Sequence, residues 1–137
     1  MAGQVWINLP VKDLNKSKAF FTEIGFSLNE GFGNADDQAS LVIGDKNVIL
    51  MLFPESTFQK FTGNNISDTT KSTEVLFSIG AESKEEVDEM VAKVVKAGGT
   101  IFGQPNDQGW MYGAGFADLD GHRWNLLYMD MSQFPVE

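Results

Sequence analysis

The sequence contains the same succession of patterns twice: one alternating apolar segment, one amphipathic helix and then three short strand-like segments. Alternate residues of a strand point to opposite faces, whereas the apolar stripe of a helix recurs every three to four residues. Each helix must bury its stripe against a sheet. We therefore predict an α+β fold of two tandem βαβββ modules in a single domain over 1–137, with module one at about 1–62 and module two at about 70–137.

The first module begins with a predicted strand at Gln4–Val11, which places Ile7, Leu9 and Val11 on one face. Asp13 is a typical N-cap for a helix that runs to about Ile24, and Gly25 ends it. Pro54 as a first helical residue predicts a short helix within Pro54–Phe61. Turn residues separate three further strands, which we place at about Phe26–Phe32, Ala39–Ile43 and Asn47–Phe53.

The second module follows a polar connection at roughly Thr62–Ser72 and opens with a strand at Glu74–Ile79. Ser83 and Glu86 have the spacing of a capping box. Apolar residues then recur at i, i+3, i+4 and i+7, namely at Val87, Met90, Val91 and Val94. This spacing predicts an amphipathic helix, and Gly98-Gly99 ends it. The remaining strands are expected at about Thr100–Phe102, Trp110–Ala117 and His122–Met129.

Composition excludes several function classes. A net charge of −9 opposes binding to nucleic acid or to anionic membranes, and it favours a cationic ligand. The absence of cysteine excludes disulfides and thiolate chemistry. No signal peptide or stretch of about 20 apolar residues is visible, so we expect a cytoplasmic protein.

Strand alternation predicts a second sheet face, opposite the helices, that mixes aromatic, amide and carboxylate groups. Such a mixture is typical of a small-molecule cleft. Packing between sheets or at a dimer contact is the alternative. The predicted members of this face are Trp6, Asn8, Glu74, Ser78 and Asn125. Met51, Trp110 and Tyr112 are predicted to join them, and for these three the prediction depends on the strand register.

Glu74 is the candidate catalytic residue, because a carboxylate on an apolar inward face is suited to proton transfer. Exposure to water or pairing with Arg123 is an equally valid interpretation. Trp6, Trp110 and Tyr112 could stack on a planar or cationic ligand, or could simply be buried at a subunit interface.

The opening segment Asn8–Leu14, with Ser17, Phe20 and Phe21, resembles the start of vicinal oxygen chelate proteins. The closing segment Gly109–Asp130, with its Asp-Leu-Asp-Gly-His turn, resembles the end of the same domain. This superfamily includes glyoxalase I, bleomycin-resistance and fosfomycin-resistance proteins, and extradiol dioxygenases. The resemblance implies an eight-stranded half-open barrel around a cleft, in a homodimer.

Metal-dependent members carry ligands on the first and last strands of each module. Asn125 stands where these members usually carry a glutamate. The other corresponding positions are Trp6 or Asn8, Leu50 or Met51, and Glu74 or Leu76. A divalent ion needs several N, O or S ligands in one shell, and one histidine with no cysteine supplies few. We therefore predict no metal ligands and no cofactor.

Other motifs do not point to chemistry. His122 is expected to be a turn residue, and Gly113-Ala114-Gly115 is better explained by close strand packing than by phosphate binding. The first functional hypothesis is a glyoxalase/bleomycin-resistance-like protein that binds a small molecule, cationic or aromatic, without the usual metal. The alternatives are a divalent-metal-dependent lyase or isomerase with Glu74 and Asn125 in the metal shell, and a dimeric module with a vestigial cleft.

Overall fold

Each half of the chain forms a four-stranded sheet, and the strand order is the same in both. The computed structural model describes residues 4–29, 34–44 and 48–134. Two compact units divide the chain, Met1–Ser72 and Thr73–Glu137. The first sheet has the order β1-β4-β3-β2 and the second the order β5-β8-β7-β6. The duplicated βαβββ pattern predicted from the sequence is confirmed.

In its described part, unit one contains four strands and two helices. Its elements are β1 (Val5–Val11), α1 (Leu14–Glu23), β2 (Ser27–Leu28), β3 (Ala39–Ile43), β4 (Val48–Pro54) and α2 (Glu55–Thr62). Strand β1 pairs in parallel with β4, and the other pairs are antiparallel. Strand β2 is shorter than predicted. The predicted strand end at Phe32 and the predicted strand start at Asn47 lie outside the described residues.

Unit two repeats this arrangement with one long helix. Its elements are β5 (Leu76–Gly80), α3 (Lys84–Lys96), β6 (Thr100–Asp107), β7 (Met111–Ala117), β8 (Arg123–Met129) and a 3-10 turn (Met131–Gln133). Strand β5 pairs in parallel with β8, and β8–β7 and β7–β6 are antiparallel. No described helix has the length and apolar character needed to cross a membrane.

Side-chain caps fix where the helices begin. The Asp13 carboxylate accepts a hydrogen bond from Lys16 N at 3.0 Å, at the start of α1. Ser83 Oγ accepts from Glu86 N at 3.0 Å, and the Glu86 carboxylate accepts from Glu82 N at 2.7 Å. The predicted capping box therefore exists, with its reciprocal bond one residue before the cap. These bonds satisfy backbone donors that a helix start leaves without partners.

Strand β6 is longer than the predicted Thr100–Phe102 and lies at the edge of the sheet. Among the described strands only β7 pairs with it, and the register shifts between Ile101 and Gly103 and again between Gly103 and Asn106. An edge strand tolerates a proline, here Pro105, because one side of the strand needs no ladder hydrogen bonds. Proline and glycine in this segment interrupt the alternation of apolar and polar residues from which a strand is predicted.

The two helices of unit one pack on different faces of the first sheet. Helix α1 buries Phe20 and Phe21, and it contacts β4 and β3. Helix α2 contacts β1 and β4. Its Phe58 packs against a cluster on the opposite face, formed by Ile49, Met51 and Phe53. Both faces of β4 are therefore buried, which explains its nearly continuous apolar sequence.

Helix α3 covers one face of the second sheet through the predicted apolar stripe. Val87 and Val94 have no exposed surface, and Met90 and Val91 pack against the same core cluster. That cluster also contains Ala114 of β7 and Leu126 of β8. The periodicity of the sequence thus predicted the buried helix face correctly.

Val87→Asp should unfold the protein, because it places an unpaired charge in the core between α3 and the sheet; such a charge costs several kcal/mol. Val95 lies on the same helix but is 58% exposed. Val95→Asp should therefore change the free energy of unfolding by no more than about 0.5 kcal/mol. Urea denaturation followed by circular dichroism measures both. Cooperative unfolding of Val87→Asp with unchanged stability would contradict the assignment of this helix face.

Candidate functional site

The second sheet has one face that no described helix of unit two covers. Side chains of β8 alternate, so that Trp124 and Leu126 are buried toward α3 while their neighbours point to the other side. Cross-strand pairing extends this assignment to β5 and β7. We call this surface the helix-free face; its members include Leu76, Ser78, Gly113, Gly115, Arg123, Asn125 and Leu127.

Ser78 and Asn125 form a polar pair at the centre of this face. They are direct partners of the parallel strands β5 and β8. Asn125 Nδ2 donates a hydrogen bond to Ser78 Oγ at 3.3 Å. An amide and a hydroxyl together offer both donors and acceptors, so this pair can orient a polar group of a ligand.

Arg123 lies two residues before Asn125 on the same face and stacks on an aromatic ring. Its Cζ lies 4.3 Å from the centroid of the Phe102 ring of β6. Its Nε is buried and has no hydrogen-bond partner within the described part of the chain. Arg123 is the only arginine of the sequence. The helix-free face therefore carries a partly buried guanidinium group.

Glycine at position 115 makes room for the stacked ring. A Cβ atom built on Gly115 would lie 2.6 Å from two atoms of the Phe102 ring. Gly115 also pairs with Asn125 on one side and with Gly103 on the other. The glycine thus lets the Phe102 ring lie over the sheet next to Asn125.

A buried carboxylate fixes the turn that leads into β8. Asp118 Oδ1 accepts from the backbone N–H groups of Asp120 and His122, each at 3.0 Å, and Oδ2 accepts from Trp124 Nε1 at 3.1 Å. Burial raises the pKa of Asp118 above its ordinary value, and the nearby His122 and these hydrogen bonds oppose the shift. His122 is a turn residue, as predicted. The turn sets where Arg123 and Asn125 enter the sheet.

Three residues of unit two that the sequence predicts for the cleft lie outside the helix-free face. Tyr112 was assigned to the wrong face: its ring packs with the α3 core cluster, and its hydroxyl donates to Asp88 Oδ1 at 2.6 Å. This hydrogen bond is the main cause that raises the pKa of Tyr112. Trp110 precedes β7 and packs edge-on against Phe134, with ring centroids 4.7 Å apart. Glu74 lies two residues before β5 and is exposed, so the inward apolar setting expected for it is absent.

Three predicted residues belong to unit one. Asn8 of β1 and Met51 of β4 are direct cross-strand partners. Met51 is only 6% exposed and lies in the cluster that packs against Phe58 of α2, so it is a core residue of that unit. Trp6 is 49% exposed on the face that alternation predicted for it. Asn8 and Trp6 retain accessible surface for contact with a ligand.

The sequence therefore predicted the face on which Ser78 and Asn125 lie, but the predicted members of that face did not include Arg123, Phe102 or Gly115. Arg123 had a usable signal, because it is two residues from Asn125 and must share its face. Phe102 had none, since its contact with Arg123 crosses the intervening strand β7.

The donor set does not fit the divalent metal of metal-dependent relatives. Of the corresponding positions, Asn8, Met51 and Asn125 carry neutral or apolar side chains. At the position given by Glu74 or Leu76, Leu76 lies in β5 and the single carboxylate, Glu74, precedes the strand. Among residues 4–29, 34–44 and 48–134, no group of three or more His, Asp or Glu side chains could hold a metal ion. Metal sites of this fold need several anionic or imidazole donors in one shell.

The duplicated modules and their two sheets define an α+β protein of the paired βαβββ class. The sequence matches the Glyoxalase/Bleomycin resistance protein/Dioxygenase superfamily over residues 3–126, and the chain belongs to this family. No functionally curated protein matches the sequence significantly.

Solved structures agree with this assignment. Hypothetical protein SA1046 from S. aureus is 36% identical, with a TM-score of 0.81 over 93% of this chain and 94% of that one. A glyoxalase/bleomycin resistance protein/dioxygenase family enzyme from Burkholderia phytofirmans PsJN is 18% identical, with a TM-score of 0.78 over 93% and 99%. A glyoxalase-related enzyme from Fulvimarina pelagi is 17% identical, with a TM-score of 0.78 over 93% and 88%. The latter two share the fold.

Asp118→Asn should destabilise the protein by about 1–3 kcal/mol, because the amide has one acceptor oxygen and must present its NH₂ group to another donor. The raised pKa adds a pH dependence. The stability that this raised pKa contributes is complete below the ordinary value of 3.8 and is lost as the pH rises through the raised folded value. The stability difference between wild type and variant should therefore be larger at pH 4.5 than at pH 7.5, in urea titrations at both. A pH-independent difference would contradict the raised pKa.

Gly115→Ala should cost about 1 kcal/mol, because the added methyl group displaces the Phe102 ring. Gly80→Ala is the matched control, since a Cβ on Gly80 meets nothing within 4 Å. If the ring is the cause, the Gly115→Ala penalty should disappear in a Phe102→Ala background, which a double-mutant cycle of unfolding free energies measures. An undiminished penalty in that background would show that the ring does not require this glycine.

Proposed function

We propose that this chain binds a small organic molecule on the helix-free face of its second sheet, without a divalent metal. The supporting observation is the convergence of a polar pair, Ser78 and Asn125, with the stacked Arg123 and Phe102 around Gly115. An apolar surface with a few fixed polar groups is typical of ligand sites. The family includes bleomycin-resistance proteins as well as enzymes. We therefore assign this chain the role of a binding protein.

The donor chemistry favours binding without metal over a metal-dependent lyase. A Lewis-acid mechanism requires an ion held by ligands that also leave an open position for the substrate. Asn125 supplies one amide oxygen where such members usually carry a carboxylate. Its partner Ser78 adds a neutral hydroxyl. Neither side chain offsets the charge of a divalent cation.

The proposal includes a homodimer and a cytoplasmic location, and it allows Trp6, which is exposed, to stack on a ligand. It gives Tyr112 no stacking role, because the Tyr112 ring packs with the α3 core cluster. Because Glu74 is exposed and outside β5, the proposal assigns it no part in binding on the helix-free face.

Thermal-shift screening of small organic compounds tests the proposal. We expect compounds that raise the melting temperature of wild type, because a ligand bound only by the native state stabilises it. Ser78→Leu should abolish the shift, since it replaces the hydroxyl and obstructs the face. Excess EDTA should not alter the shift, and protein purified without added metal should contain well under one equivalent of zinc, nickel or manganese.

Ser72→Leu is the matched control, because it makes the same chemical change at an exposed position outside the second sheet. Its thermal shifts should equal those of wild type. A shift that persists in Ser78→Leu would place the ligand elsewhere. Near-equimolar metal, or a shift abolished by EDTA, would refute metal-free binding.

A further inference from the structure

The charge on the helix-free face is opposite to the charge of the whole protein. The chain carries a net charge of −9, yet the charged side chain next to Ser78 and Asn125 is its only arginine. Electrostatic recognition at short range depends on the nearest groups, since salt screens exposed charges beyond about 8–10 Å. The local charge, and not the net charge, therefore selects the ligand that reaches this face.

Arg123 has no counter-charge among the described residues. The ion pairs within residues 4–29, 34–44 and 48–134 include Lys71 with Asp68 and Lys84 with Asp107, and none that is given for this part of the chain includes Arg123. The buried Nε of Arg123 lacks an acceptor in the same part of the chain. Stacking on Phe102 stabilises the guanidinium group only in part. An anionic ligand would supply the guanidinium group with the counter-charge that it lacks.

The guanidinium group of Arg123 lies over the Phe102 ring, with Cζ 4.3 Å from the ring centroid. A contact of this kind occupies an aromatic face and does not use the N–H donors of the group. The planar fork of these donors binds carboxylates and phosphates through two parallel hydrogen bonds. A lysine would provide the charge without this geometry.

We propose that Arg123 is the anchor for an organic oxyanion, a carboxylate or a phosphonate-like group, whose apolar or aromatic body lies along Phe102, Gly115 and Leu127. The Asn125–Ser78 pair hydrogen-bonds to a second polar atom of the ligand. This inference rests on the proposed function and names its ligand class. It replaces the cationic ligand expected from the net charge.

Near-isosteric probes separate charge from shape. Benzoate, benzamide and benzamidinium share a planar aromatic body but carry negative, zero and positive charge, and phenylphosphonate distinguishes a tetrahedral from a planar oxyanion. Proton–nitrogen correlation spectra of the full chain, titrated with each probe, report binding through the side-chain signals of Asn125 and Arg123 Nε. Benzoate or phenylphosphonate should bind about tenfold or more tightly than benzamide, and benzamidinium should bind most weakly.

Variants test the role of the guanidinium group. Arg123→Gln should weaken oxyanion binding at least about tenfold and leave benzamide binding within about twofold. Arg123→Lys should restore only part of the loss, because the charge returns without the planar fork. Lys71→Gln removes the same charge from an exposed, distant position, and it should leave every affinity unchanged. Unchanged chemical shifts elsewhere in the spectra establish that each variant is folded.

The outcomes distinguish the two proposals. Tighter binding of benzamide or benzamidinium at this face, or oxyanion binding that Arg123→Gln does not weaken, overturns the oxyanion inference and leaves small-molecule binding intact. If no probe affects the signals of the helix-free face, the inference fails, and the compound screen with Ser78→Leu then decides the proposed function separately.

Discussion

The buried carboxylate of Asp118 is the contact on which the candidate site depends. Its two oxygens accept three hydrogen bonds, two from the turn backbone and one from the Trp124 indole. The indole is buried on the α3 side of β8, so the same contact fixes both the turn and the direction of alternation in the strand. Arg123 and Asn125 then face the other side. Desolvation of the carboxylate is unfavourable, and the hydrogen bonds offset it only partly, as the raised pKa shows.

The arrangement of the helix-free face also depends on a glycine, because the Phe102 ring occupies the space that a side chain would fill. Gly115 lies between Asn125 and Gly103 in the ladder, and any Cβ there would collide with the Phe102 ring. Glycine usually weakens a strand, because it contributes no packing and loses more conformational entropy. Here it allows an aromatic ring from the edge strand to reach the guanidinium group of the strand beyond β7.

The fold could be predicted largely from the sequence because its signals are local. Caps such as Asp13 and Ser83, and the apolar period of α3, act within a few residues of where they are read. The site was harder to predict because strand register is not local. In the antiparallel pair of β7 and β8, Asn125 lies opposite Gly115, which assigns odd-numbered residues to the helix-free face and directs Tyr112 toward α3. Likewise, no local pattern indicates that Phe58 of α2 packs against the cluster that contains Met51.

Replacing the metal ligands changes what the same sheet can recognise. A divalent ion would bring positive charge to this surface through carboxylates and imidazoles, and it would attract substrate oxygens by Lewis acidity. Among the described residues no group of three or more His, Asp or Glu side chains could hold such an ion, and the positive charge on the helix-free face comes from the guanidinium group of Arg123. Such a group can hold an oxyanion in a defined orientation, but it cannot polarise an oxygen as an open metal site does. This difference in chemistry favours selective binding over the family's metal-assisted reactions.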